Sequence, residues 1–172
     1  MKKIIVGVMG PGLEATPNDL KNAYELGKLI AHQGWVLLTG GRNKGVMNAA
    51  SQGAKVANGL TIGILPADDT NAISEAVDIA IMTDMGNARN NINVLSSNVV
   101  IACGIGAGTA SEIALALKAN KKVILLNDSK EAQDFFMKLS SENVYIVNSF
   151  GEAIAAAKNI LGSSIEIYPD LT

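Results

Sequence analysis

The sequence is poor in several residue types, and each shortage excludes a class of function. A single cysteine, Cys103, cannot form an internal disulfide, and the apolar run after Met1-Lys2-Lys3 is too short for a signal peptide. Only 4% of the 172 residues are aromatic and the formal net charge is −2, so we expect neither a base-stacking platform nor a positive field for nucleic acid. No apolar run approaches the roughly 20 residues that span a bilayer. These shortages predict a cytoplasmic protein that binds neither nucleic acid nor membrane.

Short apolar, β-branched runs alternate with longer amphipathic segments along the whole chain. Apolar strands separated by helices are typical of a mainly parallel sheet that is covered on both faces. We therefore predict an α/β protein with a Rossmann-like doubly wound fold, as one domain over residues 1–162 followed by a C-terminal tail at 163–172. The predicted strands are Ile4 to Met9, Val36 to Thr39, Leu60 to Leu65, Val77 to Met82, Val99 to Cys103, Val123 to Leu126 and Val144 to Val147.

Apolar residues at helical spacing predict helices that each bury one stripe. The first helix is expected to begin near Thr16-Pro17-Asn18-Asp19, with Thr16 or Asn18 as its cap, and to end at Gly34. The predicted stripes are Leu20, Ala23, Gly27, Ile30 and Ala31 in the first helix, then Ala132, Phe135, Phe136 and Leu139, then Ala153, Ile154, Ala157, Ile160 and Leu161.

Glycine-rich loops follow the first two predicted strands. Ligands of doubly wound folds bind outside the carboxyl ends of the strands, where glycines let the backbone approach an anion. Gly10-Pro11-Gly12 has this position, although such glycines also occur in ordinary strand-to-helix turns. The second loop, Gly40 to Gly45, adds Arg42 and Lys44, which either clamp a phosphate or form a solvent-facing basic pair. Neither loop has the spacing of a P-loop or a dinucleotide fingerprint, so NAD and flavin are not expected.

The third loop, Gly104-Ile105-Gly106-Ala107-Gly108-Thr109, carries the strongest signal. It follows a predicted strand and opens a helix, so its amides can bind a phosphate at the helix N-terminus. Thr109 can cap or donate a hydrogen bond, and Glu112 lies one turn later on the same face. In the alternative interpretation Glu112 serves only to cap the helix. Cys103, just before the loop, is expected to be a small buried filler rather than a nucleophile or metal ligand.

The segment around Arg89 supplies a second cation. Asn87, Asn90 and Asn91 flank it, and their amide groups suit a polar heterocycle or sugar better than a bare anion. The alternative is an exposed start of a helix. If Arg89 faces the third loop, its guanidinium group and the phosphate-binding amides of that loop form one site.

The combination of Gly40-Gly41-Arg42, Gly45-Val46-Met47, Arg89 and the run from Gly104 to Glu112 resembles the Rossmann-like family once called lysine decarboxylases, which includes the LOG phosphoribohydrolases. This resemblance implies that Arg89 and Glu112 correspond to the catalytic pair of those hydrolases. Two positions depart from the hydrolase pattern. Gly104-Ile105 replaces a Pro-Gly, and Asn90 follows the arginine where the hydrolases usually have lysine.

Longer segments resemble the molybdenum cofactor carrier proteins, a branch of the same family. They are Ile5 to Gly12, Gly34 to Arg42, Asn91 to Asn98 and Ala114 to Ala119. The resemblance implies a homo-oligomer, with a tetramer favoured, that binds and protects the cofactor as cargo and passes it to molybdoenzymes. The cargo is a pterin with a dithiolene and a terminal phosphate, and no protein ligand for the metal is expected.

Two functions therefore compete at the same site: a non-catalytic carrier of the molybdenum cofactor, and a LOG-like hydrolase that releases the base from a nucleoside 5′-monophosphate. A nucleotide-sensing module without chemistry is a third possibility. The residues expected to contact the cargo are Gly10, Pro11, Gly40, Gly41, Arg42, Gly45, Arg89, Asn90, Gly104, Gly106, Gly108, Thr109 and Glu112.

Overall fold

The computed structural model describes residues 3–126 and 128–165, which form one seven-stranded sheet with helices on both faces. All strand pairs are parallel, in the order β4-β3-β2-β1-β5-β6-β7. The strands are β1 (Ile5–Met9), β2 (Val36–Thr39), β3 (Thr61–Leu65), β4 (Ile79–Met82), β5 (Val99–Cys103), β6 (Val123–Leu126) and β7 (Val144–Val147). The helices are α1 (Pro17–His32), α2 (Gly45–Val56), α3 (Asn90–Ser96), α4 (Ala107–Lys118), α5 (Lys130–Leu139) and α6 (Phe150–Ile165), and a single 3-10 turn covers Gly86–Arg89.

Two apolar layers enclose the sheet, as the continuous apolar strands predict. Every residue of β2, β5 and β6 is buried, because helices cover both sides of these strands. Side chains of α1, α2 and α6 pack with one face, and those of α3, α4 and α5 pack with the other. The predicted doubly wound Rossmann-like fold is confirmed.

The predicted strand boundaries are accurate to within two residues. β2, β5, β6 and β7 have the predicted bounds, whereas β1 and β3 begin one residue later and β4 begins two residues later. Of the two predicted cap residues, Thr16 is the one that caps α1. Its Oγ1 accepts a hydrogen bond from the Asp19 amide at 3.2 Å, and Asp19 Oδ2 accepts one from the Thr16 amide at 2.9 Å. This capping box holds the Asp19 carboxylate at the start of the helix.

The stripe predicted for α5 is wrong in part. Phe136 is buried, but Phe135 and Leu139 are 57% and 56% exposed. These residues lie on a helix next to β7, the last strand at its end of the sheet, so the sheet covers only part of the apolar arc. Periodicity identified the helix correctly but overestimated the width of its buried face.

The C-terminal boundary of the domain stays a prediction. Helix α6 runs to Ile165, three residues into the predicted tail. The rest of that tail, residues 166–172, lies outside the described residues. Within the described ranges, the helices are too short or too polar to cross a membrane.

The edge strand β4 leaves apolar side chains uncovered. Ile79, Ile81 and Met82 are each more than 40% exposed, and Met85 in the following turn is half exposed. An exposed apolar edge strand is a surface that proteins usually cover or pair.

Candidate functional site

A cavity of roughly 480 Å³ opens at the carboxyl ends of β1 and β5. The chain builds one half of the sheet outward from β1 to β4, then returns to add β5 on the other side of β1. The loops after β1 and β5 therefore diverge and leave a crevice between them, which is where open α/β sheets bind ligands.

The N-terminus of α4 forms one wall of this cavity. Gly106 is the cap residue, with extended backbone (φ −149°, ψ 174°), and no side chain caps the helix or places an acid in its first turn. The first amides of a helix have no carbonyl partner within it, so those of Ala107, Gly108 and Thr109 are free to bind an anion. Thr109 is the third residue of the helix and not its cap. The residue is 2% exposed, and its Oγ1 has no hydrogen-bond partner in the part of the chain that the structure describes.

Gly104 makes the sharp turn that leads β5 into α4. Its φ is +74°, and a Cβ built there would lie 2.6 Å from Asp19 Oδ1. Both the left-handed backbone and the contact with Asp19 require glycine. Gly104 therefore determines the path of the loop on the side that faces Asp19, away from the cavity.

Arg89 and Glu112 meet at the base of the cavity. Arg89 Nη1 lies 3.6 Å from Glu112 Oε1, and the two side chains are only 7% and 8% exposed. Asn93 Nδ2 donates to the same carboxylate oxygen at 2.7 Å, and Arg89 Nη1 donates to Asn90 Oδ1 at 3.1 Å. Glu112 therefore binds α3 and the turn before it, and the alternative that it only caps α4 is wrong.

Burial perturbs both charges of this pair. Burial raises the pKa of Glu112, and the hydrogen bond from Asn93 and the charge of Arg89 only partly offset this. Burial lowers the pKa of Arg89, Glu112 raises it, and the positive charge of Arg42 lowers it further. Arg42 and Arg89 thus lie close enough to repel each other.

Gly40 and Arg42, after β2, complete the opposite wall. A Cβ at Gly40 would lie 2.7 Å from Arg89 Nη2, so glycine leaves room for the guanidinium. The backbone of Arg42 forms an isolated antiparallel bridge with Ile73, which anchors this loop to the segment between β3 and β4. The Nε atom of Arg42 is buried, and no described residue forms a hydrogen bond with it.

The fold brings most of the predicted site residues to one cavity. Gly41, Gly45 and Gly104 are not on its wall, and all three have positive φ, so they shape the loops. Direct contact between any of these residues and a ligand stays a prediction. The predicted residues on the wall are Gly10, Pro11, Gly40, Arg42, Arg89, Asn90, Gly106, Gly108, Thr109 and Glu112.

Sequence reasoning missed Asn93, Ser111 and Glu14. Asn93 is completely buried and follows Arg89 by four residues, a helical spacing that could have identified it. Ser111 accepts a hydrogen bond from Asn90 Nδ2 at 2.9 Å and, like Glu14, lies on the cavity wall. Neither has a recognisable sequence pattern.

Cys103 lies outside this cavity. It is 1% exposed, its thiol donates to the Asp19 carbonyl at 3.4 Å, and burial with the nearby Asp19 and Asp128 carboxylates raises its pKa. This environment agrees with the predicted role as a buried filler. The described ranges contain no group of three or more His, Cys, Asp or Glu side chains arranged to hold a metal ion.

Comparison with known proteins gives a consistent set of similarities. The model of the SLOG cluster4 family matches residues 3–154. A structure of the molybdenum cofactor binding protein from Rippkaea orientalis is 66% identical, with a TM-score of 0.92 over 94% of this chain and 99% of that one. The molybdenum cofactor carrier protein from Chlamydomonas reinhardtii is 54% identical, with a TM-score of 0.90 and the same coverage. The cytokinin riboside 5′-monophosphate phosphoribohydrolase from Mycobacterium tuberculosis is 31% identical over 96 residues, which are 55% of this chain and 51% of that enzyme.

Proposed function

Since the chain belongs to the SLOG cluster4 family, we propose that it binds, stores and protects the molybdenum cofactor as a non-catalytic carrier. The observation that carries this proposal is the similarity to two proteins named for binding or carrying that cofactor, at 66% and 54% identity over 94% of the chain. The range matched by the family model, residues 3–154, includes all three glycine-rich loops and the segment around Arg89.

The N-terminal end of α4 supports the proposal, because it suits the terminal phosphate of the cargo. Free amides at Ala107 and Gly108 and the unpartnered hydroxyl of Thr109 supply hydrogen-bond donors. The positive end of the helix dipole favours a negative charge at the same position. We assign the phosphate to these three residues.

The rest of the cavity suits the pterin. Its volume of roughly 480 Å³ lies within the range of small-molecule sites. Asn87 and Asn90 contribute amide groups to its wall, and these can pair with the ring nitrogens and carbonyl of a pterin. In this proposal the metal is held through the dithiolene of its own cofactor.

The test is retention and protection of the cofactor under anaerobic conditions. Protein purified from anaerobically lysed cells should release a molybdopterin-type molecule that mass spectrometry identifies. Added cofactor should also keep its ability to reconstitute a molybdoenzyme for longer than free cofactor does. Loss of both properties would overturn the proposal.

A matched pair of variants localises the effect. Thr109→Val removes only the hydroxyl at the phosphate position and should shorten the protection. Thr70→Val makes the same change in an exposed loop and should leave protection unchanged.

The Arg89–Glu112 ion pair favours a second candidate, a phosphoribohydrolase. A buried carboxylate beside a cation can stabilise the positive charge that develops on a ribose during hydrolysis. Incubation with AMP and with modified adenine monophosphates, followed by chromatography for free base, distinguishes the two functions. Release of base that Glu112→Gln abolishes would establish the hydrolase.

We also propose that the chain forms homo-oligomers, with a tetramer favoured by the resemblance. The exposed apolar side chains of Ile79, Ile81 and Met82 on edge strand β4 support self-association. Light scattering during size-exclusion chromatography should give a mass above that of one chain, and Ile81→Lys should reduce it if β4 forms the contact. Transfer to molybdoenzymes and the cytoplasmic location are further parts of this proposal.

A further inference from the structure

The cavity wall carries two guanidinium groups, but only one of them is paired with a buried carboxylate. Arg89 pairs with Glu112 at 3.6 Å. Arg42 forms no ion pair with any described residue. Glu14 also lies on the wall, but it is exposed and its Oε2 is on the side of Gly106, 3.8 Å from where a Cβ of that glycine would be. Among the described residues, nothing therefore compensates the positive charge of Arg42.

The polar atoms around these arginines are also incompletely satisfied. The Nε atoms of Arg42 and Arg89 are both buried without a hydrogen-bond partner among the described residues, and Arg89 as a residue is only 6% exposed. Buried polar groups of folded proteins usually have partners, and buried charges are usually paired. Both requirements are met if an anion binds between the two side chains.

We propose that the cavity contains two separate anion subsites. The helix-end subsite consists of the amides of Ala107 and Gly108 with the Thr109 hydroxyl, and takes the phosphate. The arginine subsite consists of Arg42 and Arg89, and would take a second anionic group of the cargo. This inference rests on the proposed function and adds to it the orientation of the cargo.

The position of Glu112 on α4 separates the two subsites. It lies five residues beyond Ala107 and three beyond Thr109, which corresponds to roughly 7.5 Å and roughly 4.5 Å along the helix axis. The proposal therefore places a second anionic group farther along α4 than the phosphate, and a molecule with two anionic groups can occupy both positions. For the molybdenum cofactor, this second anionic group is the oxo-metal group, whereas a second phosphate in the arginine subsite would indicate a different cargo.

One substitution at each subsite removes a donor without disturbing the fold. Ala107→Pro deletes one amide hydrogen at the first helical position, where proline is tolerated, and the extended backbone of Gly106 suits the residue before a proline. Ala107→Ser keeps that amide and is its control. Arg42→Gln removes a charge from the arginine subsite, and Lys44→Gln removes the same charge from an exposed position off the cavity wall.

Equilibrium dialysis against inorganic phosphate at low ionic strength counts the subsites. Wild type and both controls should bind two equivalents per chain, and Ala107→Pro and Arg42→Gln should each lose a different one. The double variant should then bind none. A single equivalent in wild type, or a double variant that binds as much as either single variant, would overturn the inference.

A second experiment identifies the anion that binds in the arginine subsite, and circular dichroism checks that the variants fold. In Ala107→Pro protein, displacement of the remaining phosphate by molybdate indicates an oxo-metal subsite, and its absence indicates a phosphate subsite. Circular dichroism should show native secondary structure for every variant. Arg42→Lys, which keeps the charge but loses the planar fork, provides a second variant with intermediate affinity.

Cofactor retention on the same preparations separates this inference from the proposed function. Wild type that retains cofactor but binds one phosphate overturns the two subsites and leaves the carrier function intact. Wild type that binds two phosphates but never retains cofactor overturns the carrier function instead.

Discussion

Replacing Glu112 with glutamine should strengthen anion binding in the cavity. The Glu112 carboxylate compensates one of two neighbouring guanidinium groups, so its removal leaves both available to a ligand. Glutamine has nearly the same shape and keeps an oxygen that can accept from Asn93 Nδ2. The substitution therefore changes the charge of the site more than its packing.

The structure sets the size of this effect. Glu112 Oε1 lies 3.6 Å from Arg89 Nη1. An anion hydrogen-bonded to the guanidinium adds about 2.9 Å, so the two negative charges lie roughly 6.5 Å apart. With an effective dielectric constant of about 20, their repulsion is roughly 2.5 kcal/mol. Removing it should tighten phosphate binding by roughly sixtyfold.

Calorimetric titration with phosphate at pH 8 and low salt measures the change. Because burial raises the pKa of Glu112, wild type should approach the affinity of the variant as the pH falls and the carboxylate takes up a proton. Glu142→Gln controls for net charge, because Glu142 is exposed and lies just before the edge strand β7, away from the cavity at β1 and β5. Weaker phosphate binding by Glu112→Gln would refute the reasoning, because the carboxylate would then contribute directly to the ligand site.

Three further predictions concern stability and accessibility. Gly104→Ala should lower the free energy of unfolding, measured in urea, by about 1–3 kcal/mol, because alanine is strained at φ +74° and its Cβ would clash with Asp19. Gly108→Ala is the control: a Cβ at Gly108 meets open space, so this change should not destabilise the protein. Asp128 is buried, and no described residue donates a hydrogen bond to either of its carboxylate oxygens. Burial raises the pKa of Asp128 to about 7. The free energy of unfolding should therefore fall as the pH rises from about 4 to 7, by at most about 1.4 kcal/mol per pH unit. Asp128→Asn should flatten that dependence in urea titrations at several pH values, and an unchanged slope would assign it to other groups. Cys103 should react with a thiol reagent only in unfolded protein, and rapid reaction in the native state would show that β5 is accessible.

The fold could be predicted because its strands combine apolar character with clear boundaries. Val99–Cys103 is a continuous apolar run that ends at a glycine, and its predicted bounds are those of β5. Helix α5 was less predictable, because the exposure of Phe135 depends on how far the sheet extends beneath it. Sequence periodicity describes one element, whereas the width of the buried face depends on its neighbours.

The candidate site was predictable in its parts but not in its connections. Gly106, Gly108 and Thr109 follow a strand and open a helix, and this local pattern placed them at the cavity. The resemblance paired Arg89 with Glu112, but no local pattern gives the 3.6 Å distance between them, because it depends on how α3 packs against α4. The missing partner of Arg42 is equally a property of the folded cavity.

The central position of β1 and β5 has a consequence for hydrogen exchange. These strands lie in the middle of the sheet with neighbours on both sides, so their amides should exchange only through global unfolding. The loop after β1 is different, since Leu13 at its tip is 85% exposed. Exchange should therefore be fast on one rim of the cavity and very slow beneath it. A ligand can leave past that rim while the floor that orients it stays intact.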